Sequence, residues 1–268
     1  MSSTIGLIAG GGRFPLLFAQ SARRAGHRVV AAAHVNQTLP ELEGQVDALT
    51  WVKLGEFGKV LAALEAGGAE RAVMLGGITK ARFFRDAWLD VAGLKIVARV
   101  AVRSDDNLLR AIAAWFEEQG LPIVDATPDL ADRHAPEGVL GRHAPTEAEW
   151  ADARYALELA RGIGRLDLGQ TAVVKDGVGV AVEALEGTDA CIRRGGELAR
   201  EGAVVAKAVK PGQDRRFDLP AVGPDTVEVM RGVKARVLAV EAGATLVMDR
   251  EEMIQRADAA RIAVVGVR

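Results

Sequence analysis

The stretch AVEALEGTDACIRRG, Ala181 to Gly195, concentrates acids and arginines at the turn between a predicted strand and a predicted helix. The charged residues are Glu183, Glu186, Asp189, Arg193 and Arg194. Two interpretations are open. In the first, Thr188 caps the helix and Asp189 lies in its first turn, where the helix dipole favours an anion. In the second, the cluster is half of a phosphate site, with Thr188 and Arg193 among the residues that bind substrate.

A basic loop further along the chain supplies the other half of such a site. Lys207, Lys210, Arg215 and Arg216, offset by one aspartate, are followed at once by Asp218 in the segment RFDLP. Cations neutralise phosphate oxygens, and a carboxylate can orient water or hold a metal ion, which together suit metal-assisted cleavage of a phosphoanhydride. We therefore expect Lys207 and Lys210 to bind a pyrophosphate.

Carboxylates are the expected catalytic groups, because all four histidines precede residue 144 and the second half offers no imidazole base. The predicted catalytic residues are Asp218 and Asp189. The predicted ligands of Mg²⁺, or of another divalent cation, are Asp218, Asp189 and Glu183. Serine is scarce and no G-x-S-x-G segment is present, which argues against a serine hydrolase.

Composition narrows the class of protein further. A formal net charge of −2 argues against nucleic-acid binding by bulk charge. The single cysteine, Cys191, excludes an internal disulfide and suits a reducing cytoplasm. The apolar run near the N-terminus is too short for a signal sequence or a membrane span, so we predict a cytoplasmic protein.

The pattern of short apolar runs and helix-period segments predicts two α/β domains. Residues 1–130 alternate as β-α-β units, which indicates a Rossmann-like parallel sheet. Residues 131–145 contain the repeated RHAP and are predicted to be a connector. Residues 146–268 begin with a helix capped by Thr146, which could bridge the domains, and form the predicted catalytic domain.

The C-terminal domain is predicted to hold a mixed sheet. Asp176 and Gly177 separate two β-branched runs, a strong hairpin signal. Alternation along the second run predicts that Val178, Val180 and Val182 face the core and that Glu183 points away from it.

The glycine-rich turn IAGGGRFP follows the first strand and opens the first helix. Gly10 and Gly12 fit the start of G-x-G-x-x-G, but Pro15 occupies the third position, and the second strand ends at His34 where a ribose-binding acid is expected. We predict that the backbone N–H groups of Gly11 and Gly12 bind a phosphate or sugar of the substrate rather than NAD. The alternative is a tight structural turn.

The segment GGITKARFFRDAW mixes cations with aromatic residues. It is either a loop with a packed apolar face or a rim where Lys80 meets a lipid headgroup while Phe83, Phe84 and Trp88 cover hydrocarbon. The second interpretation predicts weak, peripheral contact with a membrane.

Seven segments resemble the LpxI type of UDP-2,3-diacylglucosamine pyrophosphatase of lipid A biosynthesis. They are IGLIAGGGRFP, LGEFGKV, DDNLLRAI, IGRLDLGQTAVV, AVEALEGTDACIRR, AKAVKPGQDRRFDLPAVG and VEAG. The resemblance implies two α/β domains that grip a lipid-linked nucleotide sugar. It also implies attack of water on the α-phosphate to give UMP and 2,3-diacylglucosamine 1-phosphate.

The family's essential aspartate, in its DLP motif, corresponds to Asp218, and the aspartate of EGTDA corresponds to Asp189. The resemblance also allows association as a homodimer. Two other classes stay open on the residues alone. A carrier of lipids or nucleotide sugars would bind without turnover, and an NAD(P)-dependent oxidoreductase would bind nicotinamide at Gly10 to Gly12.

Overall fold

The computed structural model describes residues 2–78, 88–98, 105–212 and 214–268, with the backbone alone for 105–107. The chain divides into two compact units. The first comprises Met1–Ala131 together with Arg215–Phe217, and the second comprises Asp132–Asp214 together with Asp218–Arg268.

The first unit is built on a parallel four-stranded sheet. Its strands are β1 (Thr4–Ala9), β2 (Arg28–His34), β3 (Ala48–Val52) and β4 (Arg71–Leu75), and their order in the sheet is β3-β2-β1-β4. Its helices are α1 (Phe14–Arg24), α2 (Phe57–Ala66), α3 (Val91–Ala98) and α4 (Asp105–Glu118), with 3-10 turns at Pro40–Gln45 and Thr127–Arg133. The direction of strand addition reverses between β1 and β4, where open α/β sheets bind ligands beyond the carboxyl ends of their strands.

Continuous apolar runs explain this sheet. β2 reads RVVAAAH, and every residue after Arg28 is buried, as expected for a strand covered on both faces. Ile8, Val30, Leu64 and Phe116 belong to one cluster of buried residues that joins strands to helices. The predicted parallel sheet is therefore confirmed.

Glycines bring the loops after β1 and β4 into backbone contact. Gly11 and Gly77 each donate an N–H to the other's carbonyl oxygen at 3.0 Å, an arrangement called the glycine bridge below. A Cβ on Gly10 would lie 2.7 Å from the Gly76 oxygen, and Gly76 itself has a φ of +93°. Only glycine fits this approach, because any side chain would force the two loops apart.

The second unit holds a mixed six-stranded sheet. Its strands are β5 (Gly138–Val139), β6 (Thr171–Lys175), β7 (Val178–Val182), β8 (Val204–Lys207), β10 (Val237–Glu241) and β12 (Ala263–Val267), and their order in the sheet is β5-β12-β10-β8-β6-β7. Strands β8, β10 and β12 are parallel, whereas β5, β6 and β7 each run antiparallel to a neighbour. A separate parallel pair joins β9 (Ala221–Val222) to β11 (Leu246–Val247).

Helices cover both faces of this sheet. They are α5 (Glu147–Arg165), α6 (Thr188–Ala199), α7 (Pro224–Gly232) and α8 (Arg250–Ala259). Leu157 of α5 belongs to the core on one face, while Ile192, Met230 and Met253 belong to the core on the other. The predicted cap of α5 is confirmed, since Thr146 and Glu149 form a reciprocal capping box. This helix belongs to the second unit.

The predicted hairpin at Asp176 and Gly177 is confirmed by the antiparallel pairing of β6 with β7. The predicted orientation of β7 is wrong. Val178 is 61% exposed and Val182 is 38% exposed, whereas Ala181 and Glu183 are buried. β7 is the edge strand of the sheet, so its valines reflect β-propensity rather than burial.

Candidate active site

Lys207 lies at the carboxyl end of β8, the edge from which the parallel strands of the second sheet send out their loops. Its Nζ donates to the backbone oxygen of Ala221 at 2.9 Å. Burial lowers the pKa of its amine, while the charges of Glu183, Asp218 and Asp189 act in the opposite direction. The structure thus gathers one ammonium group and three carboxylates, all of them predicted site residues.

Glu183 forms the buried side of this cluster, with 8% of its surface exposed. Its carboxylate accepts from the Thr188 hydroxyl at 3.2 Å and from the Gln170 N–H at 3.3 Å. Thr171 pairs with Lys207 across the sheet, and its hydroxyl lies 3.2 Å from that of Thr188. These contacts fix the Glu183 carboxylate on the inner side of the cluster.

Thr188 is not the helix cap that the sequence suggested. α6 begins at Thr188 itself, and Gly187, with a φ of +82°, occupies the N-cap position without a side-chain bond. The Thr188 hydroxyl is directed to Glu183 instead. The short turn after β7 explains this, because only glycine adopts that positive φ readily and the threonine is displaced by one position.

Asp218 and Asp189 form the exposed side of the cluster. The backbone N–H of Asp218 donates to Asp214 at 3.2 Å, which holds the RFDLP loop in a turn. Asp189 lies 3.9 Å from Arg193 one helical turn later, with both side chains 56% exposed. An exposed pair of this kind contributes little stability, so Asp189 and Arg193 can both turn to a ligand.

Two predicted charges are paired elsewhere. Lys210 forms an ion pair with Asp167, which lowers the pKa of the Asp167 carboxyl. Glu186 is bonded to Arg194, and that hydrogen bond lowers the pKa of the Glu186 carboxyl. The opening cluster of the sequence is therefore divided into an inner half around Glu183 and a solvated half around Glu186.

A further ion pair at the carboxyl ends of the strands was not predicted from the sequence. Arg161 of α5 donates to Glu241, the last residue of β10, at 2.6 Å. The other carboxylate oxygen of Glu241 accepts from the N–H of Val209 at 2.9 Å. Glu241 thereby holds the start of the basic loop against the sheet. The VEAG motif contained this residue, but its partners lie 80 and 32 residues away.

The donor set for a metal is only partly assembled. Across the described ranges, no group of three His, Cys, Asp or Glu side chains is arranged to hold a metal ion. Mg²⁺ commonly takes one or two carboxylates and completes its coordination with water and substrate phosphate oxygens. Asp218 and Asp189 fit that smaller requirement, whereas Glu183 is directed to Thr188 and Gln170.

The first unit contains an apolar cavity of about 320 Å³. It lies at the carboxyl ends of the strands, because Gly10, His34 and Gly76 follow or end β1, β2 and β4. The remaining lining residues are apolar or glycine: Ile8, Leu54, Phe57, Val60, Met74, Leu75, Gly77, Ile78, Leu108, Leu109, Ile112, Phe116 and Phe217.

One of the two predicted amide donors of the glycine turn already has a backbone partner. The N–H of Gly11 donates to Gly77, so the glycine bridge occupies the group expected to bind substrate. Gly12 is exposed and adopts a φ of +84°. Lys80, Phe83 and Phe84 lie outside the described residues.

The fold is that of a two-domain α/β protein in which the carboxyl edge of one sheet is apolar and that of the other is charged. Comparison with known families is more specific. Residues 4–133 match the LpxI N-terminal domain and residues 136–265 match the LpxI C-terminal domain. The chain therefore belongs to the LpxI family.

A curated relative from Caulobacter vibrioides is the UDP-2,3-diacylglucosamine pyrophosphatase LpxI. It is 38% identical over an alignment of 276 positions, which covers 98% of this chain and 97% of the relative.

Solved structures are similar only at a distance. Phosphoribosylglycinamide synthetase from Anaerococcus prevotii is 10% identical, with a TM-score of 0.29 over 69% of this chain and 40% of that one. N5-carboxyaminoimidazole ribonucleotide synthetase from Thermotoga maritima is 13% identical, with a TM-score of 0.26 over 66% of this chain and 39% of that one. Likeness at this level supports no conclusion about function.

Proposed function

We infer that the chain hydrolyses UDP-2,3-diacylglucosamine to UMP and 2,3-diacylglucosamine 1-phosphate, a step of lipid A biosynthesis. The full-length similarity to the Caulobacter vibrioides enzyme carries this conclusion. The lysine–carboxylate cluster supports it, because a diphosphate needs cations for its oxygens and a carboxylate for the attacking water.

In the proposed reaction the oxygen of water bonds to the α-phosphorus of the UDP portion, and the bond from that phosphorus to the bridging oxygen breaks. Lys207 binds the diphosphate oxygens, and its hydrogen bond to Ala221 fixes its position. Asp218 orients the water or holds the metal ion, and Asp189 is a second ligand or positions the substrate. Glu183 balances the charge of Lys207 from the buried side.

Mg²⁺ belongs to this proposal. Asp218 and Asp189 would hold it together with phosphate oxygens of the substrate, and it would stabilise the charge that develops on the reacting phosphate. The exposure of both carboxylates leaves them accessible to such an ion.

The apolar cavity of the first unit is the proposed site for an acyl chain. Its volume of about 320 Å³ and its aliphatic and aromatic walls suit hydrocarbon. Peripheral contact with the inner membrane would deliver such a substrate.

An exposed apolar row supports that contact. Trp88, Val91 and Leu94 are 69%, 71% and 59% exposed at a spacing of three residues, and Lys53 lies 4.9 Å from the Trp88 ring. No helix among the described residues is long and apolar enough to span a bilayer. Flotation with anionic vesicles should weaken when these three positions become serine, whereas Leu198→Ser, at an equally exposed site, should change nothing.

A homodimer is also part of the proposal. The edge strand β7 exposes Val178 and Val182, which a second copy could cover. Light scattering over a range of protein concentrations measures the mass directly.

Incubation with UDP-2,3-diacylglucosamine in H₂¹⁸O, with and without EDTA, followed by mass spectrometry of both products, tests the reaction. We expect the ¹⁸O label in UMP. We also expect UMP production to stop when EDTA is present. Label in the lipid phosphate would place the attack on the other phosphorus. Binding without turnover would favour a carrier, and full turnover in EDTA would remove Mg²⁺ from the proposal.

A further inference from the structure

His34 is the one hydrogen-bonding side chain among the described residues that line the apolar cavity. It is the last residue of β2 and is only 4% exposed. A buried imidazole in an otherwise apolar wall requires an explanation.

The hydrogen bonds around His34 fix its tautomer. Its Nδ1 lies 2.9 Å from the backbone oxygen of Ala9, which can only accept, so Nδ1 carries the proton and donates. The Thr38 hydroxyl donates to the same oxygen at 2.6 Å and accepts from the backbone N–H of His34 at 2.9 Å. The bond between Nδ1 and Ala9 holds the ring in one orientation.

The remaining ring nitrogen, Nε2, is therefore an acceptor. Burial lowers the pKa of His34, which keeps the imidazole neutral at neutral pH. No group among the described residues donates to Nε2. The cavity thus presents a lone pair at a fixed place in an apolar wall.

The nature of the missing donor follows from the other groups around the cavity. An ammonium would bring a charge into an apolar site, which is costly. An amide would bring a carbonyl that needs a donor, yet the N–H groups of Gly10, Gly11 and Gly77 are bonded to Leu75, Gly77 and Gly11. A hydroxyl satisfies Nε2 and brings no further donor requirement of comparable strength.

We propose that Nε2 of His34 accepts a hydrogen bond from a hydroxyl group of the lipid that fills the cavity. The first unit then distinguishes hydroxylated ligands from plain hydrocarbon of equal length. Applied to the natural substrate, this proposal rests on the proposed function. The hydroxyl then belongs either to an acyl chain or to the sugar.

The direct test compares 1-decanol with its methyl ether, which keeps the oxygen but loses the donor. Titration of the full-length protein, followed through ¹⁵N resonances of histidine, should show about tenfold tighter binding of the alcohol, equivalent to about 1.4 kcal/mol. The unprotonated Nε2 resonance of His34 should shift with the alcohol and not with the ether. Equal affinities, or no binding of either probe, would overturn the proposal.

Two variants locate the effect. His34→Phe keeps an aromatic ring without an acceptor and should bind both probes with the same affinity. Thr38→Val removes the neighbouring hydroxyl but leaves Nε2, and should keep the preference for the alcohol. A preference that survives in His34→Phe contradicts the assignment. If that variant does not fold, the Nε2 shift in the parent protein decides.

Kinetics with two substrates distinguish an acyl-chain hydroxyl from a sugar hydroxyl. The same measurements test this inference independently of the proposed function. If an acyl chain of the substrate carries the hydroxyl, UDP-diacylglucosamine with hydroxyacyl chains should show a KM several-fold below that of the same substrate with unsubstituted acyl chains. His34→Phe should abolish this difference. Equal KM values with a preserved preference for decanol would assign the hydroxyl to the sugar. Preserved discrimination without any hydrolysis would refute the proposed function alone.

Discussion

The carboxyl ends of the parallel strands carry opposite chemistry in the two units. In the first, they surround an apolar cavity with a neutral imidazole in its wall. In the second, they carry Lys207 among three carboxylates and Glu241 bonded to Arg161. Strand geometry alone therefore does not determine what such an edge binds, and the residues that end each strand do.

The backbone differs as well. At the first edge, the glycine bridge consumes amide groups that would otherwise bind an anion. At the second, side chains supply the charges, and the backbone accepts from Lys207. A diacylated nucleotide sugar has both hydrocarbon chains and a diphosphate. The contrast suggests that the first edge binds the hydrocarbon and the second binds the diphosphate.

The largest expected effect falls on the charged edge. Asp218→Ala should fold and bind decanol like the parent but lose on the order of 10²-fold or more in kcat/KM, because a water-orienting or metal-binding carboxylate is removed. Glu186→Ala, whose carboxylate is paired with Arg194 on the solvated side, is the matched control and should retain most activity. Near-parental turnover by folded Asp218→Ala would refute the assignment.

The two lysines sharpen the contrast within that edge. Lys207→Met should reduce kcat/KM by about 10²-fold, as expected for loss of a preorganised charge in a poorly solvated position. Lys210→Met removes an ion pair with the exposed Asp167 and should cost no more than about fivefold. Steady-state kinetics of both variants, with folding checked by circular dichroism, measures the ratio. Equal losses would show that burial of Lys207 has no catalytic importance.

The apolar edge should respond first in stability. Gly10→Ala places a Cβ 2.7 Å from the Gly76 oxygen and should lower the free energy of unfolding by about 2–3 kcal/mol. Gly12→Ala meets no atom within 4 Å and should cost only about 1 kcal/mol for its left-handed backbone. Urea unfolding of the two variants gives both values. If Gly12→Ala lowers the free energy of unfolding more than Gly10→Ala does, the two loops are not in tight contact.

The smallest expected effect is a pH dependence at the same edge. Burial places the pKa of His34 in the folded protein below its unfolded value of about 6.5. As the pH falls below about 6.5, the unfolded chain therefore gains a proton that the native state does not bind, and the free energy of unfolding decreases. His34→Phe should show a shallower decrease between pH 7 and pH 5. An identical slope in both proteins would show that His34 titrates normally.

Local patterns in the sequence predicted much of the fold because their physical cause is local. The Asp-Gly hairpin, the Thr146 cap and the buried strand ending at His34 each depend on a few neighbouring residues. The predicted orientation of Glu183 is wrong because alternation alone does not show which face of an edge strand is buried, and the valines of β7 are exposed.

The candidate site was predicted by residue type but not by pairing. Asp218, Asp189, Glu183 and Lys207 are gathered at one edge, as the sequence suggested. The pairs Lys210–Asp167 and Arg161–Glu241, and the hydrogen bond that orients His34, join residues distant in sequence. Such partners depend on tertiary packing, which no local pattern encodes.

The glycine bridge also has a consequence for how the chain folds. It joins positions more than sixty residues apart, and β2 and β3 lie between them in the sequence. Closing so long a loop costs entropy before the contact is rewarded, so the edge that forms the cavity should be completed late in folding. Until then the apolar walls of the cavity are open to water and to other chains, which makes the first unit the part of the protein most dependent on rapid, undisturbed folding.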